Sequence, residues 1–169
     1  EGTIIYPGIL GGSNWSPISI NSDLNLAFVS GIHAPIKYTL HEKNTENGIT
    51  EYTSSEPTND PQWGLLSAIN LSTGKIQWQY KTPQPLVGGT LSTKGGLVFL
   101  GEGNGNFNAI DAASGALLWQ TYIDAGVNAP PITFLIDGEQ YIAVAAGGNK
   151  IMGFTQGDYI SVYKLPKAE

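Results

Sequence analysis

A 41-residue internal repeat, a turn-rich composition and the lack of any sustained helical period predict an all-β chain, a β-propeller of four-stranded antiparallel blades. Residues 68–78 read Ala-Ile-Asn-Leu-Ser-Thr-Gly-Lys-Ile-Gln-Trp, and residues 109–119 read Ala-Ile-Asp-Ala-Ala-Ser-Gly-Ala-Leu-Leu-Trp. Ala68 and Ala109, Gly74 and Gly115, and Trp78 and Trp119 repeat at one interval, within the ~40–50 residues of a four-stranded blade. The chain of 169 residues carries 22 Gly and 10 Pro, which favours short strands joined by tight turns.

Each copy of the repeat reads as a hairpin. The Ala-Ile-Asn or Ala-Ile-Asp piece ends one strand. The Thr-Gly or Ser-Gly pair turns the chain, with Gly free to take positive φ. The Asn70 or Asp111 side chain is placed to hold the turn backbone by local hydrogen bonds. The following strand carries a Trp at a fixed distance, so Trp78 and Trp119 are expected to be largely buried between adjacent sheets.

The remaining strands follow in order. One blade is expected near 16–20, 26–30, 65–70 and 75–81. A second is expected near 89–93, 97–101, 106–111 and 116–121. A third begins near 131–136 and 140–146, turned at Asp137-Gly138, and continues at 160–165. The weak alternation of Leu97-Val98-Phe99-Leu100 suits a strand covered on both faces. The blades thus occupy approximately 12–81, 88–121 and 128–166, about three in all, within one unit spanning 1–169. A closed propeller takes about four blades or more, so the ring is expected to be partial. Residues 32–63 interrupt the first blade as a long polar insertion, the kind of loop that is usually functional or disordered.

Bulk chemistry removes several functions. Charged residues make up 13%, about half the usual share. The formal net charge is −6 and every basic residue is Lys, without a basic stripe, which argues against nucleic-acid binding. No apolar run approaches the ~20 residues of a membrane span. The absence of Cys excludes disulfides and thiolate metal sites in these residues. Glu1-Gly2-Thr3 shows neither an initiator Met nor a signal-peptide pattern, so the segment is expected to be processed or internal to a longer protein.

The Ala-x-Asp-x-x-x-Gly-x-x-x-Trp element resembles the tryptophan-docking motif of pyrroloquinoline quinone (PQQ) dehydrogenases, with Asn70 replacing Asp in the first copy. Gly12-Ser13-Asn14-Trp15-Ser16-Pro17, Gly88-Gly89-Thr90 through Phe99, and Gly138-Glu139-Gln140-Tyr141-Ile142-Ala143-Val144 are similar to the C-terminal region of that family. The ending Gly157-Asp158-Tyr159 through Pro166 resembles its membrane-bound glucose dehydrogenase branch. The resemblance implies an eight-bladed propeller with PQQ on its axis beside a calcium ion. It also implies oxidation of an alcohol or sugar hydroxyl in the periplasm. The calcium ligands and the catalytic Asp are implied to lie upstream of this segment, so none is assigned within it.

The resemblance places Asn14 and Trp15 against the quinone. An amide and an indole N–H suit that role, because both donate to carbonyl or carboxylate oxygens. Val87 stands where some relatives carry a Trp near the cofactor, and as an apolar residue it suits the core equally well. Asn149 ends a Gly-Gly-Asn turn implied to reach the substrate pocket. Aldose-oxidising relatives carry His there, which argues against glucose.

Other motifs are set aside. Gly101-Glu102-Gly103-Asn104-Gly105 joins two strands and has no following helix to make a phosphate site. Gly74-Lys75 lacks the upstream glycine of a P-loop. His33 and His41 are expected in a solvated loop without carboxylates at metal spacing.

The reading is therefore part of a PQQ-dependent oxidoreductase, inactive alone. Its expected partners are the remaining blades or further copies of itself. The alternative is a non-catalytic propeller that serves as a protein-binding scaffold in the cell envelope.

Overall fold

The computed structural model describes residues 2–164, and in them every regular element is a strand. The N-terminal stretch and the first blade hold β1 (Thr3–Ile5), β2 (Ser19–Asn21), β3 (Leu26–His33), β4 (Ile36–Thr45), β5 (Gly48–Pro57), β6 (Trp63–Asn70) and β7 (Ile76–Thr82). The second blade holds β8 (Thr90–Ser92), β9 (Leu97–Gly101), β10 (Asn106–Asp111) and β11 (Leu117–Tyr122). The third holds β12 (Ile132–Ile136), β13 (Glu139–Ala146) and β14 (Tyr159–Lys164). Leu165 and Pro166, assigned by sequence to the third blade, lie outside the described residues.

The sheets are antiparallel, in the orders β2-β3-β6-β7, β8-β9-β10-β11 and β12-β13-β14. They stack face to face. Leu26, Phe28, Leu66 and Ala68 of the first sheet bury against Val98, Leu100 and Ile110 of the second. Phe99, Phe107 and Ala109 leave the other face of that second sheet to meet Ile142, Val144 and Ala146 of the third. The run Leu97–Leu100 therefore lacks a polar face because the sheet has no solvent side.

The repeated hairpins share their details. Asn70 Oδ1 accepts from the amides of Ser72 (3.1 Å) and Thr73 (3.0 Å), and Asp111 Oδ1 from that of Ser114 (2.7 Å). Asn thus does the work of Asp at this position. Gly74 and Gly115 turn at φ +67° and +78°. Each hairpin slips register just past its Ala, between Ala68 and Ile69 and between Ala109 and Ile110.

The two tryptophans differ. Trp78 is half-buried. Its Nε1 donates to Ala112 O of the next blade at 3.1 Å, and a Cβ on Gly115 would stand 2.7 Å from its ring. Trp119 corrects the expectation of burial, since it is 41% exposed. It packs edge-on to Tyr163 (5.2 Å) and Phe107 (6.2 Å), and among the described residues no third Ser-Gly turn closes over it. The burial of this Trp belongs to the neighbouring blade's turn, which its own sequence does not contain.

The insertion is a hairpin rather than an irregular loop. β4 pairs with β5 along its whole length and β1 joins β4, giving a separate three-stranded sheet. The outer strand β5 is exposed throughout, which is why its composition reads as a loop. His33 and His41 accordingly lie on strands. His33 stacks on Trp63 at 3.5 Å and meets Tyr6 at a tilt at 5.1 Å, with Lys81 over the Trp63 ring. His41 hydrogen-bonds Ser54 across the hairpin at 2.7 Å.

Two comparisons test the blade contact in denaturant melts. Gly74→Ala should destabilise by about 1 kcal/mol through left-handed backbone alone. Gly115→Ala should lose roughly 1–3 kcal/mol more, because its methyl collides with Trp78. Trp78→Ala should cost roughly 3 kcal/mol and Trp119→Ala less, because Trp119 buries the smaller share of its side chain. Equal losses within either pair would contradict the docked contact.

Candidate functional site

The short strands β2, β8 and β12 form corresponding edges of the three sheets. Thr90 N donates to Pro17 O at 3.1 Å, and Ser19 and Thr90 share a hydroxyl hydrogen bond of 2.8 Å. The approach leaves no room for side chains. A Cβ on Gly89 would lie 2.5 Å from Pro17 and 2.9 Å from Pro130, and one on Gly88 would meet the Asn128 backbone at 3.3 Å. The Gly88-Gly89 pair is thus where three blades converge.

Antiparallel pairing brings four loops to this one end. The segments before β2, β8 and β12 lie there, as does the turn that follows β13. Between them is a cavity of about 310 Å³. Asn14, Trp15, Val87 and Asn149, chosen from separate stretches of sequence, all line it. Ser16 Oγ donates to Val87 O at 3.1 Å and ties the Asn14-Trp15 segment to the second blade.

Ser16 and Ile32 line the cavity as well, and so do Leu10, Asn128, Ile151 and Met152, none of which was given a site role from sequence. Asn128 precedes the inner strand of the third blade much as Asn14 precedes that of the first, so aligning the blade starts could have found it. No sequence signal marks Ile151 and Met152. They sit in a turn built by Asn149, whose Oδ1 accepts from the amides of Ile151 (3.0 Å) and Met152 (3.2 Å). The Asn149 side chain therefore holds the turn as well as lining the cavity.

The polar lining is neutral. Asn14, Asn128 and Asn149 offer amides, Trp15 offers an indole N–H, and no charged side chain lines the cavity. Asn128 Nδ2 is buried without a hydrogen-bond partner. Trp15 is 89% exposed, so its ring is a surface rather than part of the core. Among the described residues no three His, Cys, Asp or Glu side chains gather as metal ligands.

At the same end of the second blade, Glu102 opens the turn between β9 and β10. Its carboxylate accepts from Asn108 Nδ2 at 2.5 Å and from Asn104 Nδ2 at 3.2 Å, and its backbone O accepts from Val127 N at 2.9 Å. Gln120 Nε2 continues the chain of bonds to Asn108 Oδ1 at 2.8 Å. The glycine-rich run is a structural turn within the second blade, tied to the segment leading into the third through Val127 N. Burial pushes the Glu102 carboxyl above the usual carboxylate range, opposed by the Asn donors. Burial and the Glu102 charge also push up the Tyr80 hydroxyl.

The β-propeller domain family of PQQ-dependent glucose, ethanol and alcohol dehydrogenases matches residues 50–142, more than half of the chain. The chain belongs to this family. It is 36% identical over 163 residues to the quinoprotein alcohol dehydrogenase PedE of Pseudomonas putida, covering 95% of this chain and 26% of the relative. It is 28% identical over 215 residues to the quinoprotein glucose dehydrogenase of Escherichia coli, covering 98% of this chain and 27% of the relative. The crystal structure of quinohemoprotein alcohol dehydrogenase from Comamonas testosteroni superposes with a TM-score of 0.80 at 25% identity, over 99% of this chain and 29% of that one. The chain thus spans about a quarter of the length of the curated relatives it matches.

The cavity suits the family's cofactor by its donor set. PQQ presents carbonyl and carboxylate oxygens, which need N–H donors and are repelled by carboxylates. The lining supplies amides and an indole without a charged group, and one buried amide still lacks an acceptor.

The Glu102 carboxyl gives a pH test of the interblade turn. Its folded pKa lies above the unfolded one, so the folded state holds the proton more tightly. Its contribution to stability is full below the unfolded pKa and is lost as pH rises through the folded value. Glu102→Gln should flatten the dependence of the urea midpoint on pH in the range just above the ordinary Glu pKa of about 4.3. An unchanged slope would show that Glu102 is not the group titrating there.

Proposed function

We propose that this chain is part of a PQQ-dependent dehydrogenase that oxidises an alcohol or sugar hydroxyl in the periplasm. The observation that carries the reading is the convergence of Asn14, Trp15, Val87 and Asn149 on one donor-lined, uncharged cavity. Family membership supplies the cofactor's identity.

In this reading Asn14 and Trp15 form the wall against the quinone, and the apolar Val87 packs beside them. Asn149 shapes the substrate side of the pocket. PQQ, held by Asn14 and Trp15, would supply hydride-accepting redox chemistry there. The chain's own part is binding and orientation. Amide and indole N–H groups fixed at the quinone oxygens would hold the cofactor and stabilise negative charge developing there. Calcium, its ligands and the base that accepts the hydroxyl proton are proposed to belong to other blades.

Other blades are also the proposed partners of two open faces. Ile20 and Ile76 are exposed on the outer face of the first sheet, as are Ile132, Ile136, Ile160 and Val162 on the far face of the third. Such area loses about 25 cal/mol per Å² when left in water, so the chain alone should self-associate.

The test uses the full-length protein and the 169-residue chain side by side. With calcium present, the full-length protein should bind PQQ and reduce an acceptor dye with an alcohol or aldose. Asn14→Ala in it should weaken PQQ binding about tenfold, the loss of one hydrogen bond to a charged or polarised acceptor. The isolated chain should sediment as oligomers and give no turnover. Turnover by the isolated chain would overturn the partial-site reading. Failure of the full-length protein to bind PQQ would favour the scaffold alternative.

A further inference from the structure

We infer that Asn128 is a further hydrogen-bonding contact to PQQ, offered from the third blade and separate from the Asn14-Trp15 wall. The inference rests on the proposed quinone site and adds to it a residue outside every motif of the sequence. Asn14-Trp15, Val87 and Asn128 each stand a few residues before an inner strand, β2, β8 and β12 in turn. In radially stacked sheets these are corresponding positions, and all of them line the same cavity of about 310 Å³. They form an arc around one end of the stack, with polar groups on the first and third blades and the apolar Val87 between them. A flat cofactor seated against this arc meets the third blade as well as the first.

The backbone at Asn128 is fixed and its amide is not. Val127 N donates to Glu102 O at 2.9 Å, and Gly126 N donates to Thr155 O at 2.9 Å. From the second blade, the Gly88 position presses on the Asn128 backbone, 3.3 Å from where a Cβ would stand. Nδ2, by contrast, is buried and has no hydrogen-bond partner. Among the described residues four buried side-chain polar atoms lack a partner, and Asn128 Nδ2 is the one whose residue lines this cavity. It breaks no bond when the amide turns about Cβ–Cγ, a torsion with broad minima, to present N–H to the cavity. Neighbouring amides are already engaged. Asn149 Oδ1 holds its own turn, and Asn108 is bonded to Glu102 and Gln120. An unpaired buried amide opposes folding, whereas an apolar residue of the same shape does not. An acceptor oxygen of PQQ in the cavity gives Asn128 the partner that the protein does not.

The test uses the full-length protein with calcium present. Affinity is read by titration with PQQ, and stability by the urea midpoint of the unloaded protein. Asn128→Leu keeps the branched shape and removes the amide. It should weaken PQQ binding about tenfold, while the unloaded midpoint stays level or rises, since no structural bond is lost. Asn128→Asp offers only acceptor oxygens to a cofactor that needs donors, and should weaken binding at least as much. If one variant fails to fold, the other carries the comparison. Unchanged affinity in both variants would overturn the inference and leave the Asn14-Trp15 wall standing. A loss of affinity matched by a fall in the unloaded midpoint would mark a structural amide and overturn it as well. Absence of PQQ binding by the unmodified protein would instead remove the site on which this contact depends.

Discussion

Convergence of the inner strands at Gly88-Gly89 is the constraint on which the rest of the structure depends. Sheets can stack radially only if their axial edges come closer together than their outer edges. Here that approach places Pro17, Pro130 and the Asn128 backbone where any side chain on this pair would stand. Once the inner edges are so placed, the faces of the middle sheet are buried on both sides, by Phe28 and Leu66 on one and by Ile142 and Val144 on the other. The outer rim is tied more loosely. Trp78 reaches one carbonyl and one glycine of its neighbour, whereas Trp119, over which no such turn closes among the described residues, stays 41% exposed.

Sequence revealed the features that repeat. The 41-residue interval, the Asn70 and Asp111 turns and the two-sided burial of Leu97–Leu100 each follow from local chemistry that any copy must satisfy. What it hid depends on long-range contact. Trp119 has the same sequence context as Trp78, yet its exposure is decided by residues of another blade. The strands β4 and β5 lie so far from the core that half-buried alternation, the usual strand signal, cannot arise. Pairing of β4 with β5 and β1 supplies their order instead.

The candidate site divides the same way. Asn14, Trp15, Val87 and Asn149 were legible through a family resemblance that gave each a role without giving them a common location. The fold provides that location, since segments more than seventy residues apart share one end of the stack. Asn128, Ile151 and Met152 carried no motif. Asn128 stands out by an unsatisfied buried amide, and the other two by apolar side chains beside a polar turn. Neither property exists before the chain is folded.

The pieces that repeat and the pieces that form the cavities are different pieces. Strand pairs and Ser-Gly turns recur from blade to blade and make a scaffold indifferent to chemistry. The cavity walls come from segments outside those repeated hairpins: the ones before β2, β8 and β12 and the Asn149 turn. Their backbones are held by bonds to the repeating scaffold, as when Ile32 N donates to Gly12 O at 2.7 Å and Gly148 N to Gly126 O at 2.9 Å. Some of their side chains share that duty, as Ser16 does in bonding Val87 O and Asn149 in holding its own turn. Met152 and Asn128 line the cavity yet lie outside both clusters that stack one sheet on the next, so a propeller of this kind can change what its cavity accepts at such positions and keep its stacking contacts.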